Sequence, residues 1–283
     1  MGRVIVAGGA PNMTVPSKPS NLPEIGTPLN DMTWADIRAI SDAGLASSYF
    51  NVGDRKAVTL NGTVGSLSLS GTYYCYIIGI DHNSTIEGTN RIHFQLGKTA
   101  LSGGTDVALC DSKYMSGVSA TGYFSMNSSD INSGGWASSQ MRTNICGTSL
   151  TSYSGTIIEV IPAELRAVLK PVTKYTDNTG NSVAASAVTA TTDYFFLLSE
   201  YEVFGEISKS NSNEASKQAQ YAYYAAGNSK IKHNHSEITK AVFWWLRSPA
   251  ANSSNYFLLV YTVGSVEFGN SNFSLGFAPG FCV

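Results

Sequence analysis

Apolar residues recur at helical spacing at Trp34, Ile37 and Ile40, directly after Thr33, and this pattern predicts the first helix. Thr33 is its N-cap candidate, Asp36 puts a carboxylate near the positive helix end, and Gly44 ends it. Strand-like runs follow at Lys56–Leu60, Thr72–Ile80 and Arg91–Leu96, with Asn61-Gly62 as the predicted turn between the first two. The chain from Cys110 to Asp130 is rich in Ser and Gly and reads as loop. Beyond it, Gly135–Arg142 reads as a helix start with Trp136 and Met141 turned to the core, and Pro162–Lys170 as a short helix with Leu165, Val168 and Leu169 on one side. Thr191–Leu198 is strand-like and runs into Ser199–Phe204; Glu214–Ala226 reads as a helix with Tyr221 and Tyr224 or Ala225 on one side, stopped by Gly227-Asn228. Helices and antiparallel-looking strands mix without a βαβ rhythm, so the expected class is α+β.

The final forty residues have a pattern of their own. Trp244–Pro249 and Leu275–Val283 are aromatic, conformationally restrictive blocks, and burying Trp244, Trp245, Leu246, Phe277 and Phe281 would contribute about 1.5–3 kcal/mol each. Between them, Asn252–Phe273 is dominated by Asn, Ser, Tyr, Phe and Gly, with Glu267 as its only formal charge. That is the composition of a binding surface, where Tyr gives contact area and Ser, Gly and Asn give adaptable hydrogen bonds. Tyr256–Val263 reads as a strand, Gly264 as a turn and Val266–Phe268 as the return. Phe257 and Val260 are assigned to the core, and Tyr256, Leu258, Tyr261, Phe268 and Phe273 to an exposed patch.

Composition narrows the partners. Of 283 residues, 43% are hydrophobic and only 13% charged, with net charge −2, so a sizeable core is available but no basic footprint for nucleic acid or an anionic membrane. No apolar run reaches the length of a membrane span, and Arg3–Ala7 is too short for a secretory signal. Residues 1–30 carry five of the nine prolines and read as an extended arm, either an inert linker or, through Arg3–Ala7, a strand for pairing with another subunit or a tail fibre. No repeat or composition break follows, which leaves residues 31–283 as one expected domain.

Cys75, Cys110, Cys146 and Cys282 form no C-x-x-C pair and are read as buried free thiols, although an even count also permits two disulfides. Nucleotide, zincin and hydrolase motifs are absent. Asp81-His82 with His93, or His233 with His235, is the best metal or acid–base constellation; neither spacing is compelling, so no metal ligand, catalytic residue or cofactor is assigned. Asp81 is also readable as a turn residue. Glu200 and Glu202 would face opposite sides of a strand and make a weak glycosidase pair.

Trp244–Ser248 and Leu275–Val283, supported by Thr33–Arg38, Ile92–Gln95, Gly134–Trp136 and Leu198–Phe204, resemble an uncharacterised domain family of gut bacteria and their phages. Its members often look like the variable proteins of diversity-generating retroelements. The resemblance implies a C-type-lectin-like fold, with short helices and antiparallel strands after the N-terminal arm, whose segment 244–283 carries a diversified binding region. Its ligand would be a protein or glycan receptor, and its place a phage tail or bacterial cell surface. The implied contact residues are Asn252, Ser253, Ser254, Asn255, Tyr256, Leu258, Tyr261, Val263, Ser265, Phe268, Asn270, Asn272 and Phe273. Adenine-directed mutation of Asn codons gives Asn, Ser, Tyr, Phe, Asp, Gly, Leu or Val but not Lys, Gln, Met or Trp, and none of those four occurs from Asn252 to Phe273. Glu267 is not reachable by that route. The sugar-binding Glu-Pro-Asn and Trp-Asn-Asp motifs of C-type lectins are missing, and Cys282 lacks the neighbouring cysteine of formylglycine-generating enzymes. A structural virion subunit and a formylglycine-generating-type enzyme are the alternative readings.

Overall fold

The computed structural model describes residues 21–111 and 124–283. Thirteen strands occur among them: β1 Arg55–Val64, β2 Leu67–Ile80, β3 Ile92–Lys98, β4 Val107–Ala108, β5 Val172–Asp177, β6 Val188–Asp193, β7 Phe195–Phe196, β8 Lys232–Asn234, β9 Glu237–Val242, β10 Trp244–Pro249, β11 Tyr256–Val260, β12 Val266–Asn270 and β13 Gly280–Cys282. They form a five-stranded sheet in the order β1-β2-β3-β13-β7, three-stranded sheets β10-β11-β12 and β4-β8-β9, and the pair β5-β6. Every strand pair is antiparallel except β4 with β8. With short helices interspersed, the fold is α+β.

The first helix spans Trp34–Asp42, and Thr33 closes a capping box with Asp36: each side chain accepts from the other residue's backbone N–H. Trp34, Ile37 and Ile40 are buried as their spacing requires. Trp34 packs edge-on against Phe94 of β3 and Phe281 of β13, which fixes the helix on the five-stranded sheet.

Several expected elements are corrected. Asn61-Gly62 is not a turn: β1 continues to Val64, which pairs with Leu67. Gly62 serves close packing instead, since a Cβ there would lie 2.8 Å from Val160 Cγ1. The helix expected over 214–226 breaks into a 3₁₀ segment Ser212–Lys217 and a turn of helix Ala222–Ala225. Gln218, between them, is drawn inward, donating to the Tyr175 carbonyl and accepting from Ser199 Oγ, and these bonds replace a continuous helical ladder. Gly135–Arg142 becomes a helix Gly135–Ser138 and a π-helical segment Met141–Cys146, with Trp136 and Met141 fully buried. Pro162 is the N-cap of a short helix Ala163–Arg166. Thr191–Leu198 divides between β6 and β7, which lie in different sheets. His233 lies in β8.

Of the expected arm, residues 1–20, including Arg3–Ala7, lie outside the described residues. Residues 21–30 pack on the body: Leu22 and Leu29 are buried, and Asn30 Oδ1 accepts from Ala57 N of β1. One cluster of buried apolar side chains runs from Leu22 to Val283. All four cysteines are buried free thiols.

Candidate functional site: a framed hairpin over a buried ionic lock

Trp244, Trp245, Leu246, Phe257, Val260, Phe277 and Phe281 are at most 1% exposed. The aromatic brackets therefore hold the C-terminal hairpin β11–β12 against the core, with β11 in the middle of its sheet and β12 at the edge. Gly269 of β12 rests directly on Trp245, where a Cβ would come within 2.6 Å of the indole.

Beneath this sheet lies a charged cluster that sequence reasoning did not find. Arg247 of β10 is fully buried. Its Nε donates to Thr176 Oγ1 at 2.9 Å, its Nη1 to the Leu197 carbonyl at 2.9 Å, and both Nη atoms grip the Glu202 carboxylate. Glu202 sits in the helix Glu200–Phe204, where it closes a capping box with Ser199. The readable signal was Ser199-x-x-Glu202, a capping box that marks a helix start and rules out a strand with its carboxylates on opposite faces. Lys174 Nζ, also fully buried, donates at 2.8 Å to Glu202 Oε1, Glu87 Oε2 and Tyr221 Oη. The next residue of the bracket, Ser248, donates to Glu214 Oε2 at 2.8 Å. Arg247 and Ser248 thus tie the hairpin sheet to two helical segments.

His82 and His93 close the cluster, with rings 5.5 Å apart, while Asp81 is a turn residue at φ 48° that accepts from Arg91 N. His82, Glu87 and Glu202 bring ligand atoms within 4.8 Å of one another. The cation among these carboxylates is the Lys174 ammonium, which bonds to both glutamates.

Burial sets the protonation states. It lowers His82 to about 3 and His93 well below its ordinary value, the Lys174 charge adding to both effects. Burial pushes Glu87 up to about 7 against the opposing field of Lys174, and Glu214 up to about 7. Glu202 is also disfavoured by burial, but Arg247 and Lys174 together hold its carboxyl well below the usual range.

The consequence for stability follows by linkage. From pH 6.5 to 4.5 the unfolded chain binds protons at His82 and His93 that the folded chain refuses, which lowers stability; the folded chain binds protons at Glu87 and Glu214 ahead of the unfolded one, which raises it. Within this cluster two groups oppose two, and His235, also lowered by burial, adds to the histidine side. Below 4.5 the unfolded Glu202 also takes a proton and the opposing pair is exhausted, so each remaining group removes up to about 1.4 kcal/mol per pH unit. Melting temperature measured by circular dichroism is expected to change little from pH 7 to 5 and to fall steeply below 4.5. A steady decline from pH 7 to 5 would show that the histidines are unopposed.

The outer surface of the hairpin is different in kind. Tyr261, Val263 and Phe268 are 39%, 71% and 45% exposed, three of the nine exposed large hydrophobics among the described residues. Asn252, Ser254 and Ser265 are exposed, and Ser253, Tyr256, Asn272 and Phe273 half-buried. Tyr256 and Phe268 tilt together at 5.8 Å and, with Asn252, Ser253, Ala250, Ser208 and Lys209, line a cavity of about 200 Å³. Leu258, assigned to the patch from sequence, is fully buried, because β11 is central to its sheet and is covered on both faces. Asn255 and Asn270 are half-buried and spend their side-chain amides on Asp130 Oδ2, at 3.2 and 2.6 Å, bracing the hairpin from the loop 124–134.

Lys209 and Asp130 come from outside the segment and were not legible as part of this surface. Lys209 Nζ bonds to Glu267 Oε2 at 3.1 Å and lies 4.2 Å from the Phe268 ring centroid. Its loop is shaped by Glu200, a fully buried carboxylate that accepts from the backbone N–H of Ser208, Lys209 and Ser210 and from both serine hydroxyls. Glu267, the one charge inside the frame, is therefore paired with the scaffold.

Residues 108–283 match the model of a family described as a domain of unknown function (DUF6273). The chain belongs to this family. The match runs from β4 to β13, so it takes in the hairpin, its brackets, Glu200, Lys209 and the Arg247–Glu202–Lys174 chain, and leaves out His82, Glu87 and His93. No curated protein and no solved structure matches the chain. Among the described residues, no helix is long and apolar enough to cross a membrane.

Proposed function

We propose that this chain is a non-enzymatic ligand- or receptor-binding protein, of phage-tail or cell-surface adhesin type, that makes its contacts through the outer surface of the β11–β12 hairpin. The observation that carries this reading is the division of one short segment. Tyr261, Val263 and Phe268 present apolar surface to solvent, while Phe257, Leu259 and Val260, on the same hairpin, are held in the core. A surface built this way can change its outward side chains without disturbing the brackets. That is what a diversified variable region on a C-type-lectin-like domain requires, and both remain part of the proposal.

The buried chemistry favours binding over catalysis. Cys282 Sγ lies 3.2 Å from His93 Nδ1, but the thiol is fully buried and burial pushes it up to about 12, so it is protonated and out of reach of substrate.

Sequencing the gene across its source population is the test. Adenine-directed variation is expected at the codons of Asn252, Ser253, Ser254, Tyr256, Tyr261, Val263, Ser265 and Phe268, with Leu258, Gly269 and Lys209 constant. Variation spread evenly along the gene would refute the reading.

A further inference from the structure

The hairpin sheet ends on β12, whose outer edge carries main-chain groups without a partner among the described residues. Ser271 N donates to the Asn255 carbonyl, and Tyr261 N to the Ser265 carbonyl. Between these bonds the register places Phe257 opposite Gly269, Leu258 opposite Phe268 and Leu259 opposite Glu267. Hydrogen-bonded pairs alternate in an antiparallel ladder, so Glu267 and Gly269 bond to β11, while the N–H and C=O of Val266 and Phe268 point away from it. Among the described residues, no strand lies beyond β12. At the far end the Asn270 carbonyl accepts from Phe273 N, which closes the edge there.

Unpaired strand edges are templates for another strand, and proteins commonly blunt them with proline or lysine. Val266–Asn270 contains neither, and its one charge, Glu267, is paired with Lys209. The cavity lined by Tyr256, Phe268 and Lys209 takes one wall from this strand, at Phe268. We infer that the outer edge of β12 binds an extended peptide segment of a partner protein by strand addition, with the Tyr256–Phe268 cavity receiving one of its apolar side chains. This rests on the proposed binding function and narrows the ligand class to polypeptide.

Two features select a peptide. Outward donors and acceptors on residues two apart repeat the spacing of a strand's own main chain. Lys209 and Glu267 neutralise each other, leaving no net charge at the cavity to draw a phosphate or carboxylate. Strand addition also suits a diversified surface, because substitution changes side chains and leaves the main-chain groups in place. The ladder would supply constant affinity and the cavity specificity.

A displayed library of random linear peptides, panned on the purified full chain, supplies the probe. Enriched peptides, once synthesised, are expected to lose binding when alternate amides are N-methylated and to keep it when the intervening amides are. Phe268→Pro removes an outward N–H without breaking a bond to β11, a position where proline is tolerated. It is expected to bind about ten-fold more weakly than Phe268→Ala, which loses the ring alone. Val266→Pro repeats the test if Phe268→Pro does not fold. Equal binding by the proline and alanine variants, no two-residue alternation, or no enriched peptide would overturn strand addition. So would a dimer, seen by light scattering, that Phe268→Pro dissociates, since the occupant would then be a second copy of this chain. Adenine-directed codon variation with no peptide captured would sink strand addition and leave the diversified surface standing; peptide binding with evenly spread variation would do the reverse.

Discussion

Replacing Arg247 by methionine is expected to destabilise the fold by about 3–5 kcal/mol, the usual cost of removing one partner from a buried ion pair. Methionine fills much of the space left by the arginine stem, so the loss reports charge and hydrogen bonding more than a cavity. The change removes four bonds and leaves Glu202, fully buried, with only the Lys174 ammonium and the Ser199 N–H. Three points then lose their tie at once, since Arg247 reaches Thr176 of β5, the Leu197 carbonyl and the helix Glu200–Phe204. Urea unfolding measures the effect. The double variant Arg247→Met/Glu202→Leu is expected to be more stable than Arg247→Met alone, because no uncompensated carboxylate remains and Lys174 keeps Glu87 as its partner. A single variant that loses under about 1 kcal/mol would mean that the pair does not lock the sheet to the helix.

Trp245→Ala is expected to cost a similar amount, about 3–5 kcal/mol, through lost burial and the cavity left behind. Trp245 is fully buried, donates from Nε1 to the Phe124 carbonyl at 2.8 Å and supports Gly269 from below. This contact makes a sharper prediction than the stability loss alone. In the wild type, Gly269→Ala places a methyl 2.6–2.9 Å from the indole and from Leu259, so the substitution is destabilising. With Trp245→Ala in place the two indole contacts are gone and Leu259 Cδ2, at 2.9 Å, can turn into the vacated space, so Gly269→Ala is expected to cost much less than in the wild type. Thermal unfolding of the four proteins gives the coupling. Additive losses would show that Gly269 is required for a reason other than the indole beneath it.

These two variants bear on how the hairpin tolerates change. Its outward positions rest on a floor of Trp245 and Leu259, on side braces from Asp130 and on the Lys209 loop shaped by Glu200. None of these supports lies at Asn252, Ser254, Tyr261, Val263, Ser265 or Phe268. In the proposed binding role those six positions are free to vary, whereas Asn255 and Asn270, though the same residue type as Asn252, are committed to Asp130.

Local signals were enough for part of this. The helix at Trp34–Asp42 was legible because its capping box and apolar spacing agree, and the burial of Trp244, Trp245, Phe277 and Phe281 because few other environments suit such aromatic runs. The core assignment of Phe257 and Val260 and the exposed assignment of Tyr261 and Phe268 match the structure, but a two-residue period does not produce them, since it sets Phe257 and Tyr261 on one face and Leu258 and Val260 on the other. With Val260 assigned to the core, the same period sets Leu258 beside it, and both are buried. A two-residue period assigns opposite faces, but whether both are covered depends on which strand is central, and that is a matter of tertiary order. The ionic lock was illegible for a related reason. Glu87, Lys174, Glu202 and Arg247 are far apart along the chain, and each read as an ordinary charged residue until the fold removed them all from water.

The sequence by itself determined the α+β class, the aromatic frame of residues 244–283 and the polar–aromatic character of the segment inside it, since these depend on propensity, spacing and composition within short stretches. Only the tertiary structure decided which of those inner residues face solvent, that Lys209 and Asp130 join them, and that no strand among the described residues pairs with the outer edge of β12. Each of these depends on contacts between residues distant in the chain, whose energies come from burial and pairing that local sequence does not encode.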